Sequence, residues 1–451
     1  MAVPRSTPGA EPRAAVRAGA APARVEPRQD PVEHVAEALE RLAGDPYGAV
    51  VTLDADRALR DAAALRDELR RTGPRGPLHG VAVGVKDLID VAGLPTRAGS
   101  AVRARAAPAD RDAPVVARLR AAGAVVVAKL HTHEFGLGPT GDVAAEGPAR
   151  NPHDPTRIAG GSSSGSAVAV AAGYLPLALG TDTGGSVRIP AALCGVIGLK
   201  PARGVLPATG TVRLAPSLDT VGLLAADPGT ALAARAALAG DPGRPRGPRG
   251  ARVGLAVDPY WTAAEPAVRA AVDRAAAALE AAGAEVREVG TPGIDEIAAA
   301  YMPILGAEAH ARHAATLAER PGDYQPESAT GLSLLAGAPP DEHAAALRTA
   351  RRVTDRLAGH LAGFDAVLTP ATRVRATPLG ARLVDVAGER STVAAALLEP
   401  ALPANVTGWP ALSVPVAGPG LPAGVQLLGV GDDADERLLL ELAETVTHAP
   451  G

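Results

Sequence analysis

Lysine is nearly missing from this chain. Its 451 residues include 45 basic side chains, and only Lys86, Lys129 and Lys200 are lysines; the other 42 are arginines. Aromatic residues are also scarce, at 2%, which argues against a surface that stacks nucleic-acid bases. A net charge of −4 supplies no long-range attraction to nucleic acid. The one cysteine, Cys194, excludes an internal disulfide and fits a reducing compartment, so a cytoplasmic location is expected. It lies in an apolar run and reads as a buried structural thiol rather than a reactive one. No stretch of about 18 or more apolar residues escapes charge or frequent Gly and Pro, so no membrane span is expected. Residues 1–30 are rich in Ala, Pro and Arg and lack apolar periodicity. They are predicted to be disordered and have no hydrophobic run of the secretory kind.

What the chain does have is small and apolar. A hydrophobic fraction of 47% is ample for a core, and the length suits two or three domains or one large α/β domain. The most informative stretch runs from Ile158 to Pro201. Two loops of Gly, Ser, Thr and Asp, Gly160–Gly165 and Gly180–Ser186, flank an Ala/Val-rich segment. Such loops expose backbone N–H groups and hydroxyls in apolar surroundings, which is how a rigid polar pocket is built inside a core. Gly184 and Gly185 let the backbone turn sharply before Ser186 and a helix beginning near Val187. The N–H groups from Thr183 to Ser186 can converge there on one oxygen, as an oxyanion hole requires. Ser186 is then a candidate nucleophile, Ser162 and Ser163 candidate proton relays, and a base is needed. A chain that uses Arg wherever a positive charge will do, yet keeps Lys, points to a site where the cation must lose its proton. Lys86 ends the apolar run V-A-V-G-V, where desolvation would lower its pKa. Chance survival of three lysines is the competing reading, and Lys129 and Lys200 compete for the same role.

The remaining pattern is α/β. Pro31 to Arg71 reads as helical, Val81 to Val85 as a buried strand, Pro114 to Ala122 as a helix and Ala124 to Ala128 as a strand. Strand, helix, strand in that order suggests parallel pairing. Val253, Leu255 and Val257 alternate as a strand, followed by an amphipathic helix through Val268, Val272, Ala275 and Leu279. Ala298 to Arg352 is Ala-rich and helical, broken at Pro321, Pro326 and Pro339-Pro340. His131, His133 and Glu134 form the one metal-like cluster, and without a second cluster of ligand spacing no metal site is expected. The Gly160–Ser166 loop resembles a phosphate cradle only loosely, since no Lys follows its glycine.

The motifs K-D-L-I-D-V-A-G-L-P-T, G-G-S-S-S-G-S and G-T-D-T-G-G-S-V-R-I-P-A-A-L-C-G-V-I-G-L-K-P together resemble the amidase signature family, whose members hydrolyse carboxamides through a Ser–cis-Ser–Lys triad. The likeness runs from about Gly80 to Leu224 and returns in F-D-A-V-L-T-P-A-T and P-A-N-V-T-G-W-P-A-L-S-V-P. It implies one α/β domain over residues 31–451, with a mixed, twisted central sheet covered by helices on both faces and variable pocket helices at about 298–352. It implies Ser186 as nucleophile, Ser162 as bridging serine on a cis peptide bond and Lys86 as base. Thr183, Gly184, Gly185 and Gly136 would meet the substrate oxygen and acyl group. Ser163, Thr181 and Asp182 would fix the loops, and Arg188 would take a structural acid as partner rather than a substrate carboxylate. No cofactor is implied; the partner is a small-molecule amide, and a homodimer is common in the family. Ser164 stands where many members carry Gly. The chain ends soon after Leu442, which weighs against an allophanate hydrolase with a second catalytic domain. Three alternatives remain: a glutaminase-type subunit needing a partner, a biuret- or allophanate-type hydrolase, and a binding protein on the same scaffold with no catalysis.

Overall fold

Short runs of β-branched and small apolar residues make the centre of the molecule. The computed structural model describes residues 30–243, 245–335 and 339–448; the extension predicted to be disordered lies, but for Asp30, outside the described residues. Eleven strands form one sheet in the order Val50–Leu53, Val125–Leu130, Ala82–Lys86, Leu177–Asp182, Thr220–Ala225, Ile197–Lys200, Ala411–Val416, Ala423–Gly429, Ala366–Pro370, Arg252–Ala256 and Glu285–Val289. The sheet is mixed, as expected. Val125–Leu130, Ala82–Lys86 and Leu177–Asp182 are parallel, as are Ala366–Pro370, Arg252–Ala256 and Glu285–Val289. All other neighbouring pairs are antiparallel. The helices Pro114–Ala121, Ser164–Ala171 and Pro266–Ala281 lie in connections that join parallel strands, because a parallel return needs a crossover.

Alternate strand residues feed opposite faces. Val83, Val85, Val126, Leu177 and Leu179 enter one core with the helices Pro114–Ala121, Pro228–Ala239, Pro266–Ala281 and Glu436–Thr447. Ala82, Val125, Val127 and Ala178 enter the other with the helices Pro31–Ala43, Ala55–Thr72, Ser164–Ala171 and Arg188–Cys194. Ile294–Glu319 and Pro340–Leu361 pack together over a further core, through Ile297, Ile304, Val353 and Leu357. The sheet thus carries helices on both faces, and the chain is a single α/β domain.

Two readings need correction in detail. The helical pattern from Pro31 to Arg71 is two helices, Pro31–Ala43 and Ala55–Thr72, separated by the strand Val50–Leu53. Four residues carry too little periodicity to reveal a strand, and its antiparallel partner lies far along the chain at Val125–Leu130. In the Ala-rich region the helices end near the expected prolines, and Pro326 and Pro340 stand at first helical positions, where the missing N–H costs nothing. Pro303, by contrast, sits inside Ile294–Glu319 without ending it. Among the described residues no helix is long and apolar enough to cross a membrane.

Candidate active site

The carboxyl ends of two adjacent parallel strands, Ala82–Lys86 and Leu177–Asp182, open onto the two glycine-rich loops; Val85 pairs with Leu179 in their register. A crevice at such strand ends is where α/β sheets place ligands. Lys86, the last residue of its strand, is fully buried. Its Nζ lies 2.7 Å from Ser162 Oγ, 2.8 Å from Thr181 Oγ1 and 3.5 Å from the Thr181 carbonyl. Burial lowers its pKa to about 7, against the opposing pull of the Asp182 and Asp219 charges. A neutral amine has one lone pair and two hydrogens. That set matches an O–H from Ser162 and two acceptors on Thr181.

Ser162 follows a cis peptide bond from Gly161. The loop around it is held by its own N–H groups: Gly161 donates to the Pro139 carbonyl, Ser163 to the Ser186 carbonyl at 3.1 Å and Gly165 to the His131 carbonyl. These donors are spent inside the protein, which removes the phosphate-cradle reading. Ser163 Oγ donates to the Thr181 carbonyl at 3.2 Å and accepts the Thr181 N–H at 3.3 Å. Ser163 therefore ties the Ser162 loop both to the Ser186 loop and to the strand carrying Thr181. Ser186 retains 6% exposure, and its Oγ makes no hydrogen bond to the described residues.

Asp182 organises the second loop. Its carboxylate accepts the N–H of Gly185 at 2.9 Å and of Val187 at 3.0 Å, the Asn405 amide at 2.8 Å, and two guanidinium N–H groups of Arg188 at 2.9 and 3.1 Å. Burial alone would raise its pKa; the Arg188 charge and hydrogen bonds, the Lys200 charge and the Asn405 amide outweigh it and hold the carboxyl well below the usual range. Arg188 is fully buried. It also donates to Asn405 Oδ1 at 2.6 Å, Gln426 Oε1 at 2.5 Å and the Ala401 carbonyl at 2.8 Å. All of its guanidinium N–H groups are thereby taken by acceptors of the protein.

Among the residues expected to meet the substrate oxygen, Gly185 needs a correction. Its N–H is turned onto Asp182 Oδ1, because a buried carboxylate takes every donor within reach. Gly185 contributes its backbone instead, at φ +112°. The N–H groups of Thr183, Gly184 and Ser186 have no acceptor among the described residues. The Thr183 hydroxyl donates to Asp219 at 2.7 Å. Gly184 lies under Tyr301, whose ring and hydroxyl occupy the space a side chain would need. Gly136, at φ +75°, faces the same spot: a Cβ there would lie 3.5 Å from Ser162 Oγ and 3.2 Å from Leu88.

The metal-like cluster is dispersed. His131 bonds Ser164 Oγ and the Gly147 carbonyl at 2.8 Å each, His133 accepts the Gly141 N–H, and Glu134 accepts the Gln325 N–H. Among the described residues no group of three or more His, Cys, Asp or Glu is placed to hold a metal ion. Ser164, the unusual residue of its loop, is thereby the partner of His131. The other lysines lie outside the site: Lys129 pairs with Asp87 at 2.8 Å, and Lys200 donates to the Pro201 carbonyl at 3.0 Å. Cys194 is buried with its thiol donating to the Ala159 carbonyl, and burial pushes its pKa well up. Sequence reasoning missed Tyr301, Asp219, Asn405 and Gln426. Asn405 sits in the motif P-A-N-V-T-G, which offered a signal; the other three offered none.

A buried lysine of near-neutral pKa thus faces a serine at the strand ends of a one-domain mixed sheet. The family model described as Amidase matches residues 33–440. The chain belongs to the amidase family and is an amidohydrolase. It is 37% identical over 396 residues to AtzE, one subunit of the 1-carboxybiuret hydrolase of Pseudomonas sp. (strain ADP), covering 84% of this chain and 85% of that one. It is 35% identical to one subunit of the glutamyl-tRNA(Gln) amidotransferase of Symbiobacterium thermophilum, over 88% and 89% of the two chains. The solved peptide amidase of Stenotrophomonas maltophilia superposes with a TM-score of 0.78 at 31% identity, over 94% and 95%.

Proposed function

We propose that this chain hydrolyses a carboxamide to a carboxylate and ammonia or an amine through an acyl-enzyme on Ser186. The observation that carries the reading is Lys86, fully buried, poised near pH 7 and 2.7 Å from Ser162 Oγ. Ser186 Oγ attacks the amide carbonyl and passes its proton to Ser162, whose own proton goes to Lys86 Nζ. The oxyanion collects the N–H groups of Thr183, Gly184 and Ser186. Removing one donor of this kind costs about 2.7–4 kcal/mol in barrier. Protonated Lys86 returns a proton through Ser162 to the leaving nitrogen, which departs. Water, deprotonated by the same relay, then cleaves the acyl-enzyme. Asp182 and Arg188 hold the loop rather than the substrate. The motif-bearing segment 80–224 supplies this chemistry within a catalytic unit of residues 31–451, and the helices of about 298–352 cover it. No metal or cofactor takes part. A homodimer and a cytoplasmic location, the latter supported by the single buried cysteine, belong to the same reading.

A second reading is favoured by the relatives: two of them are subunits, one of a 1-carboxybiuret hydrolase and one of an amidotransferase. On that reading the same site works only beside a partner chain. Treatment with a fluorophosphonate probe followed by intact mass tests the first reading without a choice of substrate. One adduct is expected on the wild type, none on Ser186→Ala, and slow labelling on Lys86→Ala. Labelling of Ser186→Ala to the wild-type level would refute the nucleophile. A folded wild type that labels only after a partner is added would support the second reading.

A further inference from the structure

Next to Phe135 lies an outer chamber of about 410 Å³, a volume suited to a small ligand. Phe135, Thr211 and Val212 line both this chamber and the inner cleft that holds Gly136, Thr181 and Thr183, so the two adjoin across a shared wall. In a chain with nine Phe, Tyr and Trp residues, Phe135 and Tyr324 both wall this chamber. Their ring centroids are 5.4 Å apart, and His313 packs edge-on to Phe135 at 4.6 Å. His313 is kept neutral by burial and by the adjacent Arg312 charge, with a pKa lowered to about 4.

The charges around the chamber do not cancel. Arg103, Arg213, Arg312 and Asp90 line it. Arg213 is committed to Asp219 at 2.8 Å, and Asp90 accepts the Thr96 hydroxyl. Glu134 lies behind, bonded to the Gln325 N–H, and does not line the chamber. Arg103 has one donor on the Thr96 carbonyl at 2.7 Å and no ion pair among the described residues. Arg312, exposed on the helix Ile294–Glu319, has neither a hydrogen bond nor an ion pair among the described residues. Two guanidinium groups from separate elements therefore reach one chamber with no carboxylate of the described residues paired to either. A planar guanidinium matches a carboxylate with two parallel hydrogen bonds.

We propose that the substrate is an amide whose far end carries a carboxylate, held by Arg312 and Arg103 in the outer chamber while the amide reaches Ser186. The inference rests on the amidase reading for the position of the scissile bond and adds the class of acyl group. The acid end would anchor and orient the molecule, and the aromatic wall would take its carbon chain.

The test compares amides that differ only in a terminal carboxylate or methyl: succinamate against butyramide, and glutaramate against valeramide. The reading is the ratio of kcat/KM, acid to neutral. The wild type is expected to prefer the acid at least tenfold, with the preference shrinking as salt is raised. Arg312→Gln is expected to lower the ratio tenfold or more, mainly through KM, with partial rescue in Arg312→Lys; Arg103→Gln shifts it in the same direction. A second arm measures succinamate binding by calorimetry in Ser186→Ala with and without Arg312→Gln, where a tenfold weaker Kd is expected. If Ser186 labels with fluorophosphonate but Arg312→Gln leaves the ratio and the Kd unchanged, the inference falls and the amidase reading stands. If Ser186 does not label, yet binding of succinamate still depends on Arg312, the reading of a free-standing amidase falls and the anion site stands.

Discussion

The protonation of Lys86 makes a quantitative demand on rate. With a pKa of about 7, the neutral fraction is roughly 9% at pH 6, 50% at pH 7 and 91% at pH 8. The value of kcat/KM should therefore rise about tenfold from pH 6 to pH 8 and then level off. A lysine at its ordinary value near 10.4 would instead give a rise of roughly tenfold per unit to beyond pH 9. The displacement comes first from burial; Asp182 and Asp219 oppose it. Removing one opposing charge, in Asp219→Asn, should move the midpoint to lower pH. Lys86→Arg keeps the charge but cannot supply a lone pair, and should cost about 10²–10⁴ in rate, the usual range for a general base. The assay is the second-order rate of acylation, read as fluorophosphonate inactivation at constant ionic strength from pH 5.5 to 9.5. A flat profile, a midpoint above pH 9, or a Lys86→Arg variant of near wild-type rate would refute the assignment.

Three further outcomes follow from buried charge. Asp182→Asn leaves the Arg188 guanidinium fully buried without its counter-charge, and should lower stability by about 3–5 kcal/mol in urea unfolding; an unchanged midpoint would contradict the clamp. Lys200 is also fully buried, with a pKa lowered to about 7 by desolvation first and the Arg188 charge second. Between pH 7 and its unfolded value the unfolded chain holds the extra proton, so folding gains stability as pH rises across that window. Lys200→Met should therefore stabilise the fold at pH 7, by on the order of 1–3 kcal/mol, with a smaller gain at pH 9; destabilisation at both would count against it. Cys194 should be silent to a thiol reagent in the native protein and titrate as one thiol in denaturant.

The three lysines show how far composition reaches. All are fully buried, while the exposed cations among the described residues are arginines, so the scarcity of lysine did mark unusual sites. It did not say which of them does what: one faces a serine, one an aspartate and one a backbone carbonyl. The loops were legible because glycine, serine and threonine crowd together only where backbone must turn or approach closely. Ser164 was legible as a departure but not as the partner of His131, which lies 33 residues away.

Taken alone, the order of residues determined the glycine loops, the apolar strands that carry them and the spacing of Ser162 and Ser186. These are local properties of the chain, set by backbone freedom and by the alternation of apolar side chains. The tertiary structure decided the protonation of Lys86, the diversion of the Gly185 N–H to Asp182 and the partners of Arg188. Those partners, Asn405 and Gln426, come from 217 and 238 residues away. Tyr301 reaches Gly184 from the covering helix. Each of these depends on water being excluded and charges being paired across the fold, and neither condition exists until distant segments have packed.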